Sequence, residues 1–269
     1  MMRRAWRALT TWLMLAQAYE ESELARRVGV HPRWELLREK LQGKRCERLR
    51  RLPGGFTVRE NRCDMGVLVS MPLEYGILEW NFRGREVSAV DAGANIGAFA
   101  VYLDSFARVR RYVGIEAAPG NFSVLRENTA RLGRNFASVR CALADEGKEV
   151  VFDLGGSPAS LRRGRTGERL RGMPLDEVEE VREAGAIDIL KIDVEGDEEA
   201  VLKGGKETLA RTSHVVMELH HRELGEEGVA RVFEMMKGEF DHVTYQRSPG
   251  LEQTNVFFRR RGFRGPAGG

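Results

Sequence analysis

Short apolar runs recur at Val87–Asp91, Tyr112–Glu116, Ala137–Ala142, Ile187–Asp193 and Val215–Leu219, with helical patterns at Ala98–Ala107, Asn121–Leu132 and Glu226–Lys237. This alternation admits few solutions. It predicts an α/β fold, a mostly parallel sheet with helices on both faces. Phe240–Gln246 and Asn255–Arg260 read as a final strand pair, Glu149–Leu154 as an extra strand, and Gly155–Gly172 as an Arg-rich loop long enough to act as a lid.

The first of these strands runs into Asp91-Ala92-Gly93-Ala94-Asn95-Ile96-Gly97 and then a helix, an arrangement that holds nucleotides. A dinucleotide fingerprint needs Gly at its second position so that backbone approaches a pyrophosphate. Here that position is Asn95, so a pyrophosphate is not the expected ligand. Glu116 ends the next strand, roughly 20 residues on, where doubly wound sheets present the acid that takes two ribose hydroxyls. Gly-containing turns are common in any α/β domain, and the loop together with the acid is the more specific signal.

Ile187–Leu190 opens into Lys191-Ile192-Asp193-Val194-Glu195-Gly196-Asp197-Glu198, so carboxylates emerge where a buried strand surfaces. A parallel strand ending in acids often ends in a site. The bland alternative is a helix-capping turn, where acids favour the free amides and the helix dipole. Along Val215–Leu219, alternation sends Glu218 and His220 to one face and His221 to the other. His220 is therefore the preferred histidine, although an exposed pair with no role fits equally well.

In order, these segments resemble the FkbM family of S-adenosylmethionine-dependent methyltransferases. The resemblance is carried by Val90–Gly97, Glu116 through Asn128 and Ile189–Glu198, with Cys141–Asp145 similar to the family's third-strand segment. Pro174-Leu175-Asp176 and Met217–His220 add weaker likenesses, and the whole covers about residues 88–221. One departure stands at Ala117, where the family more often has Pro directly after the acid. The resemblance implies a class I methyltransferase Rossmann-like domain with a seven-stranded mostly parallel sheet, carrying an N-terminal helical extension. It implies S-adenosyl-L-methionine as cofactor, held by Asp91, Gly93, Asn95, Gly97, Glu116, Ala142 and Leu143. Asp193, Glu195 and His220 become the catalytic candidates. The two acids are expected to hold the methionyl amino group or act on the acceptor hydroxyl. A divalent cation shared with Glu218 is the less favoured role. The five histidines show no paired ligand spacing, so no metal is expected.

Residues 1–62 hold 15 Lys or Arg against 7 acids, and the remainder 28 against 33. That asymmetry keeps an RNA or protein substrate open, yet the Arg-rich loop lacks interleaved aromatics. The resemblance implies a small-molecule or glycan hydroxyl as the acceptor, and no specific nucleic acid is expected. A non-enzymatic or NAD-binding protein on the same sheet is the remaining alternative. Trp6, Leu9, Leu13 and Ala16 fall at helical intervals, favouring a packed amphipathic helix over a signal peptide. No apolar run approaches the ~20 residues that span a bilayer, and peripheral membrane contact stays open. Cys46, Cys63 and Cys141 read as free thiols of a cytoplasmic protein. Residues 1–55 are expected to form a helical extension ending at Pro53-Gly54-Gly55, 56–260 the catalytic domain and 261–269 a loose tail. Phe56–Ser70 and Glu79–Phe82 read as short strands or a hairpin.

Overall fold

The computed structural model describes residues 17–30, 48–60, 64–153, 162–163, 168–248 and 253–263. The expectations for Trp6–Ala16, for most of the Arg-rich loop and for the end of the tail lie outside these residues. The described chain opens with helix α1 (Glu23–Val28), capped by Ser22 and closed by Gly29 in the left-handed region. Strands β1 (Leu49–Arg51) and β2 (Thr57–Arg59) form a hairpin whose turn contains Pro53-Gly54-Gly55. Leu49–Arg51 is thus strand within the 1–55 segment expected to be helical.

A second correction concerns Phe56–Ser70 and Glu79–Phe82. Among the described residues only Thr57–Arg59 is strand there, because helix α2 runs from Asp64 to Phe82. Its buried residues Met65, Leu68, Val69, Met71, Tyr75, Leu78 and Phe82 recur at helical intervals. Pro72 and two glycines disguise that period in the sequence. The helix bends at Tyr75, whose φ of −124° leaves the helical region three residues after the proline.

The central sheet then builds as expected. Strand β3 (Glu86–Ala92) leads to α3 (Ala98–Phe106), β4 (Arg108–Ile115), α4 (Pro119–Leu132) and β5 (Phe136–Val139). After an excursion follow α5 (Glu179–Arg182), β10 (Ile187–Ile192), α6 (Glu198–Gly204), α7 (Lys206–Ala210), β11 (Thr212–His220), α8 (His221–Lys237), β12 (Phe240–Ser248) and β13 (Gln253–Arg260). The seven strands lie in the order β12-β13-β11-β10-β3-β4-β5, with only β13 antiparallel to its neighbours. Alternating residues separate two cores. Ala89, Tyr112, Ile189, Val216 and Phe257 face α1, α2 and α3, while Val90, Val113, Leu190, Met217 and Val256 face α5 to α8.

The excursion differs from its expectation. Strand β6 (Ala142–Leu143) leaves the main sheet and joins β7 (Glu149–Asp153), β8 (Arg162–Arg163) and β9 (Glu168–Met173) in a separate four-stranded sheet. The expected third strand Ala137–Ala142 is therefore split after Val139. The last six residues of the expected lid belong mostly to β9, which pairs antiparallel with β7.

Candidate functional site at the strand switch point

From β3 the chain moves outward through β4 and β5, whereas β10 and β11 extend the sheet the other way. The carboxyl ends of β3 and β10 therefore flank the crevice where ligands bind in open α/β sheets. The two loops leaving those ends touch. Asp193 donates its amide to Ala92 O at 3.0 Å, and a Cβ added at Gly93 would sit 1.8 Å from Asp193 O. Only glycine fits that approach, and its φ of 85° is also costly for other residues. Asn95 (φ 50°) and Glu195 (φ 55°) are the two non-glycine residues with positive φ among those described. Each sits in one of these loops, and such backbone conformations gather at functional sites.

The crevice has about 620 Å³ of empty space including its mouth. Gly93, Asn95, Glu116, Ala142, Leu143, Asp193 and Glu195 line it, as do Asn121 and Asp197, which the sequence had not singled out as binding residues. Glu116 is held in place. Its carboxylate accepts from the Asn95 amide at 2.9 Å and the Ala118 amide at 2.8 Å. Ala117 thus serves the turn without a proline after the acid, and Pro119 follows as the first residue of α4. Burial pushes the Glu116 carboxyl up to about 7, against the two backbone hydrogen bonds that favour its charge. A carboxylate so fixed, at the rim of a crevice with a glycine floor, fits the ribose of a nucleoside cofactor.

Asp91 and Gly97 stand behind the residues that line the crevice. Asp91 is fully buried, accepting from Tyr112 Oη at 2.6 Å and Lys191 Nζ at 3.0 Å. Gly97 caps α3 and faces Leu125 of α4. Both shape the loop from behind. Asn128, in a segment that carried the resemblance, joins the Ile96 carbonyl to both backbone groups of Thr57.

Beside the crevice, on the α2 side, acids converge from three strands. Register sets this arrangement: Lys191 pairs with Asp91 on β3 and with Val216 on β11, so alternation brings Asp193 and Glu218 to the same face. Lys191 bridges Asp91 at 3.0 Å and Asp193 at 3.4 Å. Its ammonium lies 5.8 Å from the ring centroids of both Tyr75 and Phe99. Burial works against that charge, yet Asp91 and Asp193 hold the lysine above its ordinary range. Tyr75 Oη reaches Asp193 at 3.4 Å.

His220 is 2% exposed and hydrogen-bonds through Nδ1 to Glu198 Oε1 at 2.7 Å. Its Nε2 turns toward Glu195, Glu218 and Asp193 at 3.5, 3.8 and 4.0 Å. His221 points elsewhere, pairing with Thr254. Burial opposes a charge on His220, but the Glu198 hydrogen bond and the charges of Asp193, Glu198 and Glu195 raise it to about 9. Burial, then the charges of Asp193 and Glu74, raise Glu218 well above the carboxylate range. Glu74 rises to about 7 through burial and Asp193. Glu74, Tyr75 and Glu198 were missed in the sequence. Glu74 and Tyr75 sit on α2 between the two segments read as strand, and Glu198 looked like an ordinary first-turn acid.

The methyltransferase FkbM domain model matches residues 91–264, which contain every crevice and cluster residue named above except Glu74 and Tyr75. The chain belongs to the FkbM methyltransferase family. A hexuronic acid methyltransferase, AglP of Haloferax volcanii, is 29% identical over 136 residues, covering 48% of this chain and 54% of that protein. The crystal structure of an FkbM methyltransferase from Methylobacillus flagellatus superposes with a TM-score of 0.51 at 15% identity, over 94% of this chain and 59% of that one. This FkbM chain thus spans little more than half of either relative's length. Among its described residues, no helix is long and apolar enough to cross a membrane.

Proposed function

We propose that this FkbM-family chain transfers a methyl group from S-adenosyl-L-methionine to a hydroxyl of a glycan or small metabolite. The observation that carries this reading is Glu116, fixed by two backbone amides at the rim of a crevice whose other wall holds Asp193 and Glu195. Glu116 would accept from the ribose hydroxyls, and Gly93 lets the ligand lie against backbone. Ala142 and Leu143 offer an apolar surface for a base. The cofactor, when bound, supplies a methyl group already activated on a sulfonium. The protein's task is then positioning and proton removal. Asp193 and Glu195 receive the acceptor and its proton, and His220, held by Glu198, stands beside them. The uronic acid named for the Haloferax relative supports a sugar acceptor.

The test is a thermal-shift comparison of S-adenosylhomocysteine, NAD and ATP at equal concentration. S-adenosylhomocysteine should raise the melting temperature by mass action and the other two should not. Glu116→Ala should abolish most of that shift, since hydrogen bonds to a charged group contribute roughly 1.5–3 kcal/mol each. Stabilisation by NAD and none by S-adenosylhomocysteine would overturn the proposal.

A further inference from the structure

We infer that Asp193, Glu218 and His220 form a site for one divalent first-row cation, an inference that deepens the proposed transfer site and rests on that reading for its chemical role. The three ligand atoms lie within 4.8 Å of one another. His220 Nε2 stands 3.8 Å from Glu218 Oε1 and 4.0 Å from Asp193 Oδ1. Those gaps are too long for hydrogen bonds. They match donors on one ion, because ligands bound ~2.1 Å from a common centre stand roughly 3–4 Å apart.

Acid clusters are common, and a second observation points to a ligand here. His220 is 2% exposed, and its Nε2 makes no hydrogen bond among the described residues although it is aimed at the carboxylates. Its other nitrogen is committed. Glu198, itself fully buried, holds Nδ1 at 2.7 Å. A buried carboxylate fixing one histidine nitrogen so that the other presents its lone pair is the outer-shell arrangement of metal-binding histidines. The sequence offered a cation shared by Asp193, Glu195 and Glu218 only as the less favoured role, because convergence of Asp193 on β10 with Glu218 and His220 on β11 depends on strand pairing that no local spacing marks.

The donor set defines the ion's class. One imidazole among carboxylates disfavours Ca²⁺, which takes oxygen ligands, and the lack of thiolate disfavours soft ions. Mn²⁺ is the natural probe. A cation there would orient the acceptor's oxygen beside the crevice and ease loss of its proton to Glu195, whose Oε2 lies 3.5 Å from Nε2.

The full chain, stripped with EDTA, is titrated with Mn²⁺ by calorimetry and examined by electron spin echo spectroscopy, with S-adenosylhomocysteine binding measured in parallel. One Mn²⁺ per chain is expected, with nitrogen modulation from a bound imidazole. Glu218→Gln should weaken binding at least ~10-fold, and Glu198→Gln by ~10- to 100-fold through the outer shell. Absence of stoichiometric Mn²⁺ binding, or binding without nitrogen modulation, overturns the site. Because the wild-type spectrum decides this, a variant that misfolds cannot rescue the inference. If S-adenosylhomocysteine still binds in that case, the methyltransferase proposal stands. If Mn²⁺ binds with imidazole while S-adenosylhomocysteine does not, the cation site stands and the transfer role falls.

Discussion

At Glu116, burial favours the neutral carboxyl while a ribose contact requires the charged one. An unfolded glutamate titrates near 4.5, and this one near 7. Between those values the folded chain holds a proton that the unfolded chain has released, so this group's contribution to stability falls as pH rises through the window. Cofactor binding has the opposite sign. Ribose hydroxyls donate to the carboxylate, so affinity for S-adenosylhomocysteine should rise toward pH 7 and level off above it, with Lys191 aiding the charge and Asp91 opposing it. Calorimetry in buffers of different ionisation enthalpy should detect proton release below pH 7, and Glu116→Gln should abolish it. Asp193 and Glu195 invite a second measurement. Asp193→Asn loses its pairing with Lys191 but relieves repulsion with Glu74 and Glu218. Its stability should therefore change by no more than ~1 kcal/mol. Single-turnover methylation in Asp193→Asn or Glu195→Gln should drop ~10²-fold or more, read beside a denaturation curve. Wild-type rates in both would reduce the acids to a capping turn. Gly93, Asn95, Glu116, Asp193 and Glu195 were legible in the sequence because strand ends announce themselves by a break in apolar character. Glu198 was not legible, because burial of a first-turn acid depends on the neighbouring strand.

Elements meet at Asn128, the joint between the β1–β2 hairpin and the glycine loop after β3. Its amide donates to Thr57 O at 2.9 Å and Ile96 O at 2.8 Å, and its carbonyl accepts from Thr57 N at 2.7 Å. Asn128→Ala would leave three buried backbone groups without these partners. A loss of about 2–4 kcal/mol is expected from the cost of unsatisfied groups, measured by urea denaturation. Weaker S-adenosylhomocysteine binding should accompany it, although Asn128 does not line the crevice. The parallel strands were legible as elements because each is a short apolar run. Helix α2 was misread because Pro72 and the glycines mask its period, and packing on the sheet settles what local propensity leaves open. The split of Ala137–Ala142 was invisible for a related reason. Pairing of Ala142 with Gly172 is a contact between distant residues, and nothing local specifies it.

For the whole molecule, the order of strands in space differs from their order in the chain. Strand β13 comes last of the seven yet lies between β11 and β12, hydrogen-bonded to both. During synthesis β11 must therefore wait, one edge unpaired, until residues 253–260 have left the ribosome. An open parallel edge of this kind recruits other chains. The wait falls on the strand that carries Glu218 and His220. Asn255 pairs with Glu218 and Gln253 with His220 in the finished ladder, so β11 is zipped into place by the final hairpin. A nascent chain halted before residue 253 would hold the glycine loop and Glu116 in order while leaving β11, which carries Glu218, paired on the β10 side alone. Under the proposed function, ligand binding and methyl transfer would then become possible at different moments in the life of one polypeptide.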